Sequence, residues 1–306
     1  MTGLAESRAY YESQLVPLLA GIPHAAARIG HGSEVLGFDT ARSRDHDWGP
    51  FVQIFVSDPA SAPVQAFRPG DWLRGHLGFD PLAGVSTFDW LATSAQGFLE
   101  ITAGAVFRDD IGDLTRARSL LAWYPDDVWR HLLACQWKRL SEEEAFVGRA
   151  GEVGDELGSA VVAGRQVRDV MRLCFLMSRR YAPYSKWFGS AFAQLPCAAA
   201  LTPMFRGALS AVEWHDREQH LAAAYRFVAG MHNDLGLTDP VDPATRPYHT
   251  RPYQVLHAER FADALFASIS DPEIRALGRH GNADQAFDST DALSHRDRCR
   301  ALYRLR

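Results

Sequence analysis

Hydrophobic and polar residues follow two different patterns along the chain, and the change falls near residue 114. Before it, short apolar runs bounded by turn-forming residues predict strands, the clearest of them over residues 45–56 and 98–107. After it, apolar residues recur three and four positions apart, as in Trp129, Leu132 and Leu133, which is the spacing of amphipathic helices. The pattern therefore predicts a mixed α/β part followed by a helical part.

The predicted fold class is α+β, with an N-terminal mixed β-sheet flanked by helices and a C-terminal all-α helical bundle. Residues 1–122 are expected to form the first domain and residues 123–306 the second. An amphipathic helix is expected at residues 4–22, interrupted by Pro17. Later helices are expected near 126–140, 155–181, 186–195, 210–235 and 253–269, with a Pro-rich connection at 240–252 and a polar, partly extended tail from 278.

Composition and charge exclude some classes of function. The chain has 306 residues, 47% of them hydrophobic and 23% charged, which is typical of a globular protein of two domains. Its net charge of −5 argues against extensive nucleic-acid binding, which requires a basic surface. No apolar run has membrane-spanning length, and the first residues lack the pattern of a signal peptide. The four cysteines are scattered without CxxC spacing, so we expect free thiols, no zinc site at the cysteines, a cytoplasmic location and no membrane partner.

A Gly-Ser pair followed by two aspartates is the most informative motif. Gly32 and Ser33 precede Asp45-His46-Asp47 with eleven residues between. On a strand, Asp45 and Asp47 would point to one face, where their carboxylates could hold Mg²⁺ or Mn²⁺. Gly32 and Ser33 would form a tight turn whose N–H groups and hydroxyl meet a triphosphate. A Gly-Ser pair or an Asp-x-Asp pair alone is common in loops. The two pairs in this order and at this spacing are a far more specific signal of a functional site.

Glu100 is a lone carboxylate at the start of the apolar run over residues 98–107. Since a buried carboxylate is costly unless it is paired or binds a metal, Glu100 is the predicted third acidic residue of the site. It could be a metal ligand, the base that takes a proton from an acceptor hydroxyl, or both. The alternatives are a solvent-facing glutamate, or a role for Asp109 or Asp110, which are more typical of residues that cap a turn.

A basic segment in the helical half supplies the remaining candidates. Lys186 follows the turn at Pro183 and begins a predicted helix, so it could contact a triphosphate, with Tyr184 and Ser185 as neighbours. The alternative is a solvated helix terminus.

Several of these segments resemble known families. The order of residues 32–47 resembles the DNA polymerase β-like nucleotidyltransferase superfamily, and Leu99-Glu100-Ile101-Thr102 is similar to the strand of aminoglycoside nucleotidyltransferases that carries their catalytic base. Those enzymes have an apolar residue after the aspartate pair, whereas this chain has Trp48. Almost the whole chain resembles the DUF4037 family, whose motifs are matched by Asp45–Pro50, Trp123–Trp129 and Arg180–Trp187.

The resemblance implies a magnesium-dependent nucleotidyltransferase, an adenylyltransferase that moves AMP from ATP, or another nucleotide, to a hydroxyl of a small molecule. Catalysis and binding of Mg²⁺ or Mn²⁺ would fall to Asp45, Asp47 and Glu100, and nucleotide binding to Gly32, Ser33, Tyr184, Ser185 and Lys186. The alternatives are transfer to RNA or protein, and a non-catalytic nucleotide- or ligand-binding protein of the same fold. The acceptor, the preferred nucleotide and the oligomeric state stay open.

Overall fold

The computed structural model describes residues 2–40, 42 and 49–304. The chain divides into two compact units, each built from separated stretches of sequence. The first unit contains Met1–Tyr124, Pro183–Trp187 and Asn282–Arg306, and the second contains Pro125–Ala182 and Phe188–Gly281. The final stretch, which the sequence places in the second domain, is thus grouped with the first unit. The catalytic and substrate-binding roles expected of the two regions stay predictions.

The first unit begins with a helix that is interrupted near its centre. Helix α1 (Gly3–Tyr10) continues through a π-helical turn at Tyr11–Leu15 into the short α2 (Val16–Leu18). The irregularity thus lies at Tyr11–Leu15, just before Pro17, and the helix continues through Pro17. The predicted helix over residues 4–22 is confirmed only as far as Leu18, and the predicted interruption falls before Pro17 instead of at it.

A three-stranded antiparallel sheet forms the centre of the first unit, with β1 (Ala25–Arg28) between β2 (Gln53–Phe55) and β3 (Ala105–Asp109). Ala26 of β1 faces the side covered by Tyr11 and Leu19. Its neighbours Ala25 and Ala27 face the opposite side, as alternation along a strand requires. The named strands pair antiparallel where a mixed sheet is predicted, although Phe55 and Phe67 form an isolated parallel bridge.

Four further helices of the first unit follow β2 along the chain, with β3 between the third and the fourth of them. They are α3 (Pro69–Leu77), α4 (Thr87–Ala92), α5 (Ala95–Thr102) and α6 (Asp113–Leu120), and a 3-10 turn lies at Pro59–Ser61.

Glu100 lies on helix α5, so the predicted strand over residues 98–107 is wrong in its first half. Ser94 starts the helix, because its hydroxyl accepts a hydrogen bond from the N–H of Gly97 at 3.2 Å. Gly104 ends this segment with a φ of +69°, and a Cβ there would lie 2.2 Å from the carbonyl oxygen of Arg28. The chain becomes a strand only at β3, after this glycine.

The second unit is mainly helical, and the predicted helices from residue 126 to 235 are confirmed with shifted bounds. The elements that follow in chain order are α7 (Asp126–Glu143), α8 (Phe146–Glu152), α9 (Glu156–Met177), α10 (Ser185–Phe192), α11 (Ala198–Ser210), α12 (Trp214–Asp234), β4 (Arg246–Tyr248), β5 (Arg251–Val255), α13 (Glu259–Ala267) and α14 (Pro272–Ala276). The residues of α10 up to Trp187 are grouped with the first unit. Trp137 of α7 stacks on Phe261 of α13 with ring centroids 4.6 Å apart. None of the helices described combines the length and apolar character needed to cross a bilayer.

Two expectations for this part of the chain are corrected. The hairpin of β4 and β5 means that the second unit is not all-α, and the helix predicted at 253–269 begins only at Glu259. Tyr253 and Val255 are buried on either side of half-buried Gln254, which is the alternation of a strand.

The tail that returns to the first unit is helical rather than partly extended. It forms α15 (Ala283–Ala286), α16 (Thr290–Ser294) and α17 (Arg296–Arg304). Side chains cap the first two helices: Asn282 accepts a hydrogen bond from the N–H of Gln285, and Ser289 from that of Ala292. Short capped helices can form from polar sequence in this way without a long apolar stripe.

Candidate functional site

The Gly32-Ser33 turn is wrapped around the side chain of Arg28, the last residue of β1. The guanidinium of Arg28 donates to the carbonyl oxygens of Ile29 at 2.8 Å and His31 at 2.7 Å, and it pairs with Glu34. Gly32 has a φ of +138°, and a Cβ there would lie 2.6 Å from both the Arg28 guanidinium and the Glu34 carboxylate. Glycine is therefore required at this position by the ion pair beneath it.

Backbone hydrogen bonds attach helix α5 to this turn. The N–H of Gly30 donates to the carbonyl of Glu100 at 2.7 Å, and the N–H of Gly104 donates to the carbonyl of Val35 at 2.9 Å. At the C-terminus of α5, Arg118 donates to the carbonyls of Ile101, Thr102 and Ala103 at 2.7–2.8 Å. A cation that satisfies the last carbonyls stabilises a helix end, so the position of Glu100 is fixed from both directions.

The carboxylate of Glu100 accepts hydrogen bonds from three side chains, two of them histidines. His31 Nδ1 lies 2.9 Å from Oε1, His76 Nε2 lies 2.7 Å from Oε2, and Gln96 Nε2 donates to Oε1 at 2.8 Å. The ring of His76 stacks on Trp72, one turn earlier in α3, with centroids 5.0 Å apart. The three groups come from a turn and two helices, and Glu100 is only 6% exposed.

These contacts determine the charge of Glu100. Burial alone would raise its pKa, but the hydrogen bonds from His31 and His76 outweigh burial and lower the pKa to about 2. The hydrogen bond to Glu100 in turn raises the pKa of His31. Glu100 is therefore ionised at neutral pH, and the site favours a positive charge on the imidazole beside it.

Gln96 also connects Glu100 to the segment that carries Lys186. The side-chain carbonyl of Gln96 accepts a hydrogen bond from the N–H of Tyr184 at 3.0 Å. Trp187 stacks on Phe38 with ring centroids 5.2 Å apart, which holds the same segment within the first unit. The exposed Lys186 places its Nζ 4.9 Å from the centre of the Trp187 ring.

The C-terminal helices add basic side chains next to this group. Arg300 of α17 pairs with Asp89 at 2.7 Å, and Arg296 donates to the carbonyl of Arg74 at 3.1 Å. Ser94, the residue that caps α5, donates to the carbonyl of Leu293 at 3.1 Å. Helix α17 is thereby fixed against α3 and α4, and α16 against the start of α5, within the first unit.

These elements surround one pocket of about 940 Å³, all of whose lining residues belong to the first unit. Its volume lies in the range of small-molecule sites. Its lining includes the Gly32-Ser33 turn, both histidines, Glu100, Tyr184 and Lys186, together with Arg296, Arg298 and Arg300.

Most of the described residues predicted to form the site meet in this pocket. Of the described residues predicted to bind nucleotide, only Ser185 lies outside the lining. Asp45 and Asp47 lie outside the described residues, so their predicted metal binding stays a prediction. Asp109, the rival to Glu100, accepts hydrogen bonds from the N–H groups of Gly112 and Thr115, which confirms its role in a turn.

Sequence reasoning missed His31, His76, Gln96 and the arginines of α17. His31 adjoins Gly32, and His76 lies in a Gly-rich stretch without a clear secondary-structure pattern. Their positions in the sequence therefore indicate only weakly that they belong to the site. Their convergence on Glu100 depends on tertiary packing, for which no spacing rule exists.

No curated protein and no solved structure matches this chain. Residues 90–188, which include Gln96, Glu100 and Lys186, match the family model of DUF4037, a domain of unknown function.

Proposed function

We propose that the protein is a magnesium-dependent nucleotidyltransferase that moves a nucleoside monophosphate, AMP from ATP, to a hydroxyl group of a small molecule. One observation carries the proposal: the Gly32-Ser33 turn and the Tyr184–Lys186 segment, far apart in sequence, line the same pocket. The first is the turn that the motif predicts to bind the triphosphate, and the second is the basic segment predicted to contact it from the helical half.

The charge of the pocket supports a polyphosphate ligand. Lys186 and three arginines of α17 contribute positive charge, against the negative charge of Glu100 and Asp297. Among the described carboxylates, none forms an ion pair with Lys186, whereas each of the three arginines has an acidic partner. Lys186 is thus available to a ligand phosphate, which ammonium groups bind as point charges.

The metal-binding part of the proposal concerns Asp45 and Asp47, which would hold Mg²⁺. The ion would supply the neutralising charge at the reacting phosphates. Glu100 fits a magnesium ligand poorly, because imidazole and amide nitrogens occupy its oxygens and Mg²⁺ prefers an oxygen environment. With a pKa of about 2 it is also a weak base, so its role in the proposal is to position His31 and His76.

Calorimetry with a non-hydrolysable ATP analogue tests the binding site. Wild type should bind the analogue in the presence of Mg²⁺, and Asp47→Asn should remove the magnesium dependence without lowering the melting temperature. Lys186→Ala should weaken binding about tenfold, the effect of one charge-assisted hydrogen bond. The chain has one other lysine, Lys138, which pairs with Glu259 in the second unit, so Lys138→Ala is the matched control.

Two further measurements address chemistry and location. ATP should protect Lys186, but not Lys138, from acylation by an amine-reactive reagent followed by mass spectrometry. Pyrophosphate release from ATP should rise with a suitable compound from a panel of small hydroxyl-bearing acceptors and vanish in Asp47→Asn. Equal, metal-independent binding by wild type and Asp47→Asn, or equal loss in the two lysine variants, would overturn the proposal.

A further inference from the structure

His31, His76 and Glu100 form a compact set of metal-binding groups that no sequence motif identifies. One ligand atom from each lies within 4.8 Å of the others. We propose that these three side chains bind a divalent transition metal ion such as Zn²⁺, with ligands other than Asp45 and Asp47. This inference goes beyond the proposed nucleotidyl transfer and does not depend on it.

The donor types select the class of ion. Two imidazole nitrogens and one carboxylate oxygen form the set found in open zinc sites and in two-histidine, one-carboxylate sites for other divalent transition metals. Mg²⁺ prefers oxygen ligands and retains several waters, so this set discriminates against it. The two imidazoles and the carboxylate therefore favour an ion of intermediate softness, such as Zn²⁺.

The geometry requires only a small adjustment to accept the ion. Ligand atoms about 2.1 Å from a tetrahedral Zn²⁺ are roughly 3.4 Å from one another. Here the two nitrogens lie 2.9 and 2.7 Å from different oxygens of Glu100, and one ligand atom from each residue lies within 4.8 Å of the others. Changes of about 1 Å in these separations therefore bring the three atoms to the spacing that the ion needs. The side chain of His31 is 78% exposed and can make that movement without disturbing the core.

Groups behind the three ligands hold them in orientation, as they do in metal sites generally. Gln96 donates to Oε1 of Glu100, and Trp72 stacks flat on His76 with an interplanar angle of 11°. The carbonyl of His31 is fixed by Arg28. A simple surface pair would need none of this support, whereas an ion with defined geometry does.

The ligands line the pocket rather than a closed interior. Structural zinc sites are saturated by four protein ligands, but a site with three ligands facing a pocket leaves coordination positions for water or a ligand. The arrangement is therefore of the open kind, in which the ion can contact whatever occupies the pocket.

Cobalt titration of the whole, tag-free and chelator-stripped chain tests the proposal. Co²⁺ should bind with one equivalent per chain and give visible d–d absorption, which Zn²⁺ displaces and millimolar Mg²⁺ does not. Fe²⁺ and Mn²⁺ are titrated in parallel to rank the ions. His31→Ala, His76→Ala and Glu100→Gln should each lower the affinity at least about tenfold.

The control is His295→Ala, since His295 is an exposed histidine of the same pocket that pairs with Asp291. His31→Ala decides the outcome if the two more buried variants fail to fold. Affinity equal to wild type in His31→Ala, substoichiometric cobalt, or displacement by Mg²⁺ would overturn the proposal. Binding of the ATP analogue to the stripped chain is measured separately, so failure of this inference is distinguishable from failure of the proposed function.

Discussion

The side-chain carbonyl of Gln96 accepts a hydrogen bond from the backbone N–H of Tyr184 at 3.0 Å, across 88 positions of sequence. The amide nitrogen of the same residue donates to Glu100 at 2.8 Å. One side chain of α5 therefore joins the carboxylate at the centre of the pocket to the segment that carries Lys186. A displacement of Glu100 should therefore also displace the Tyr184–Lys186 segment, and the reverse.

Gln96→Leu should destabilise the protein by about 1–3 kcal/mol, because it removes the partner of the Tyr184 N–H and one of the two hydrogen bonds to Oε1 of Glu100. It should also weaken binding of the ATP analogue, since the Tyr184–Lys186 segment loses its attachment. Urea denaturation and calorimetry measure the two effects. Gln14→Leu is the control, because Gln14 is exposed and, within the described part of the chain, its side chain hydrogen-bonds only to its neighbour Ser13. Equal denaturation midpoints for the two variants would contradict the prediction.

Gly32→Ala should destabilise the protein by more than the cost of a positive φ at residue 32. The added Cβ would displace the Arg28 guanidinium, and the bonds from Arg28 to Ile29 and His31 would be lost with it. Gly37→Ala is a matched control, since Gly37 also has positive φ, +74°, but no atom of the described residues lies within 4 Å of its Cβ position.

Both alanine variants bear the cost of a left-handed conformation, about 1–2 kcal/mol. We expect Gly32→Ala to be less stable than Gly37→Ala by a further ~2 kcal/mol, and to bind the ATP analogue more weakly. The comparison is made by chemical denaturation and calorimetry, and a result in which the two variants match would show that the ion pair beneath the turn has no such role.

Arg118→Met should lower the free energy of unfolding by about 2–4 kcal/mol, because three carbonyls at the end of α5 lose a charged donor. Arg118→Lys should recover only part of this loss, since an ammonium group cannot reproduce the planar fork. In the same helix, the side chain of Arg116 makes one hydrogen bond to a described residue, to the carbonyl of Leu82 at 3.4 Å, so the melting temperature of Arg116→Met should stay close to that of wild type. Thermal melting of the three variants decides the matter.

Glu144 predicts a pH dependence in the second unit. Its carboxyl accepts hydrogen bonds from the N–H groups of Leu256 and Ala258, yet burial raises its pKa to about 7. A folded-state pKa above the unfolded one gives stability that is complete below pH about 4.5 and is lost as the pH rises through about 7. The loss should be on the order of 3 kcal/mol.

The difference between wild type and Glu144→Gln isolates this effect from other titrating groups. The variant mimics the protonated acid, so its advantage over wild type should grow between pH 5 and 8 in urea denaturation. Glu142→Gln, at an exposed position, should follow the wild-type curve. A constant difference between wild type and Glu144→Gln across this range would rule out the proposed titration.

The sequence predicted the elements whose pattern is local and missed those that depend on neighbours. The long helices α7, α9 and α12 are apparent because their apolar residues repeat over several turns, whereas α8 and α11 were not predicted. The run around Glu100 is too short for its period to separate helix from strand, and the choice is made by Ser94 and Gly104 at its ends. The expectation that a buried Glu100 needs partners is confirmed, because two histidines and Gln96 contact its carboxylate, but Glu100 lies on a helix instead of a strand.

The partners of Glu100 could not be predicted at all. His31 and His76 are separated by a strand and several turns, and their meeting depends on how α3 packs against the sheet through Trp72 and Phe55. The arginines of α17 belong to a polar tail whose docking rests on single hydrogen bonds, such as that between Asp284 and the N–H of Ala95. Such contacts join residues that are far apart in sequence, and no periodic pattern of the sequence indicates them.

The split composition of the first unit has a consequence for how the protein is made. Its pocket needs the stretch from Thr290 to Arg300, which leaves the ribosome after all other residues that line the pocket. A nascent chain can form the sheet of β1, β2 and β3 early, but its pocket stays incomplete while the whole second unit is synthesised. Closing contacts as distant as Ser94 with Leu293, 199 positions apart, is entropically costly and slow. Ligand binding is therefore expected to appear only after residue 300 has been synthesised, however early the sheet forms.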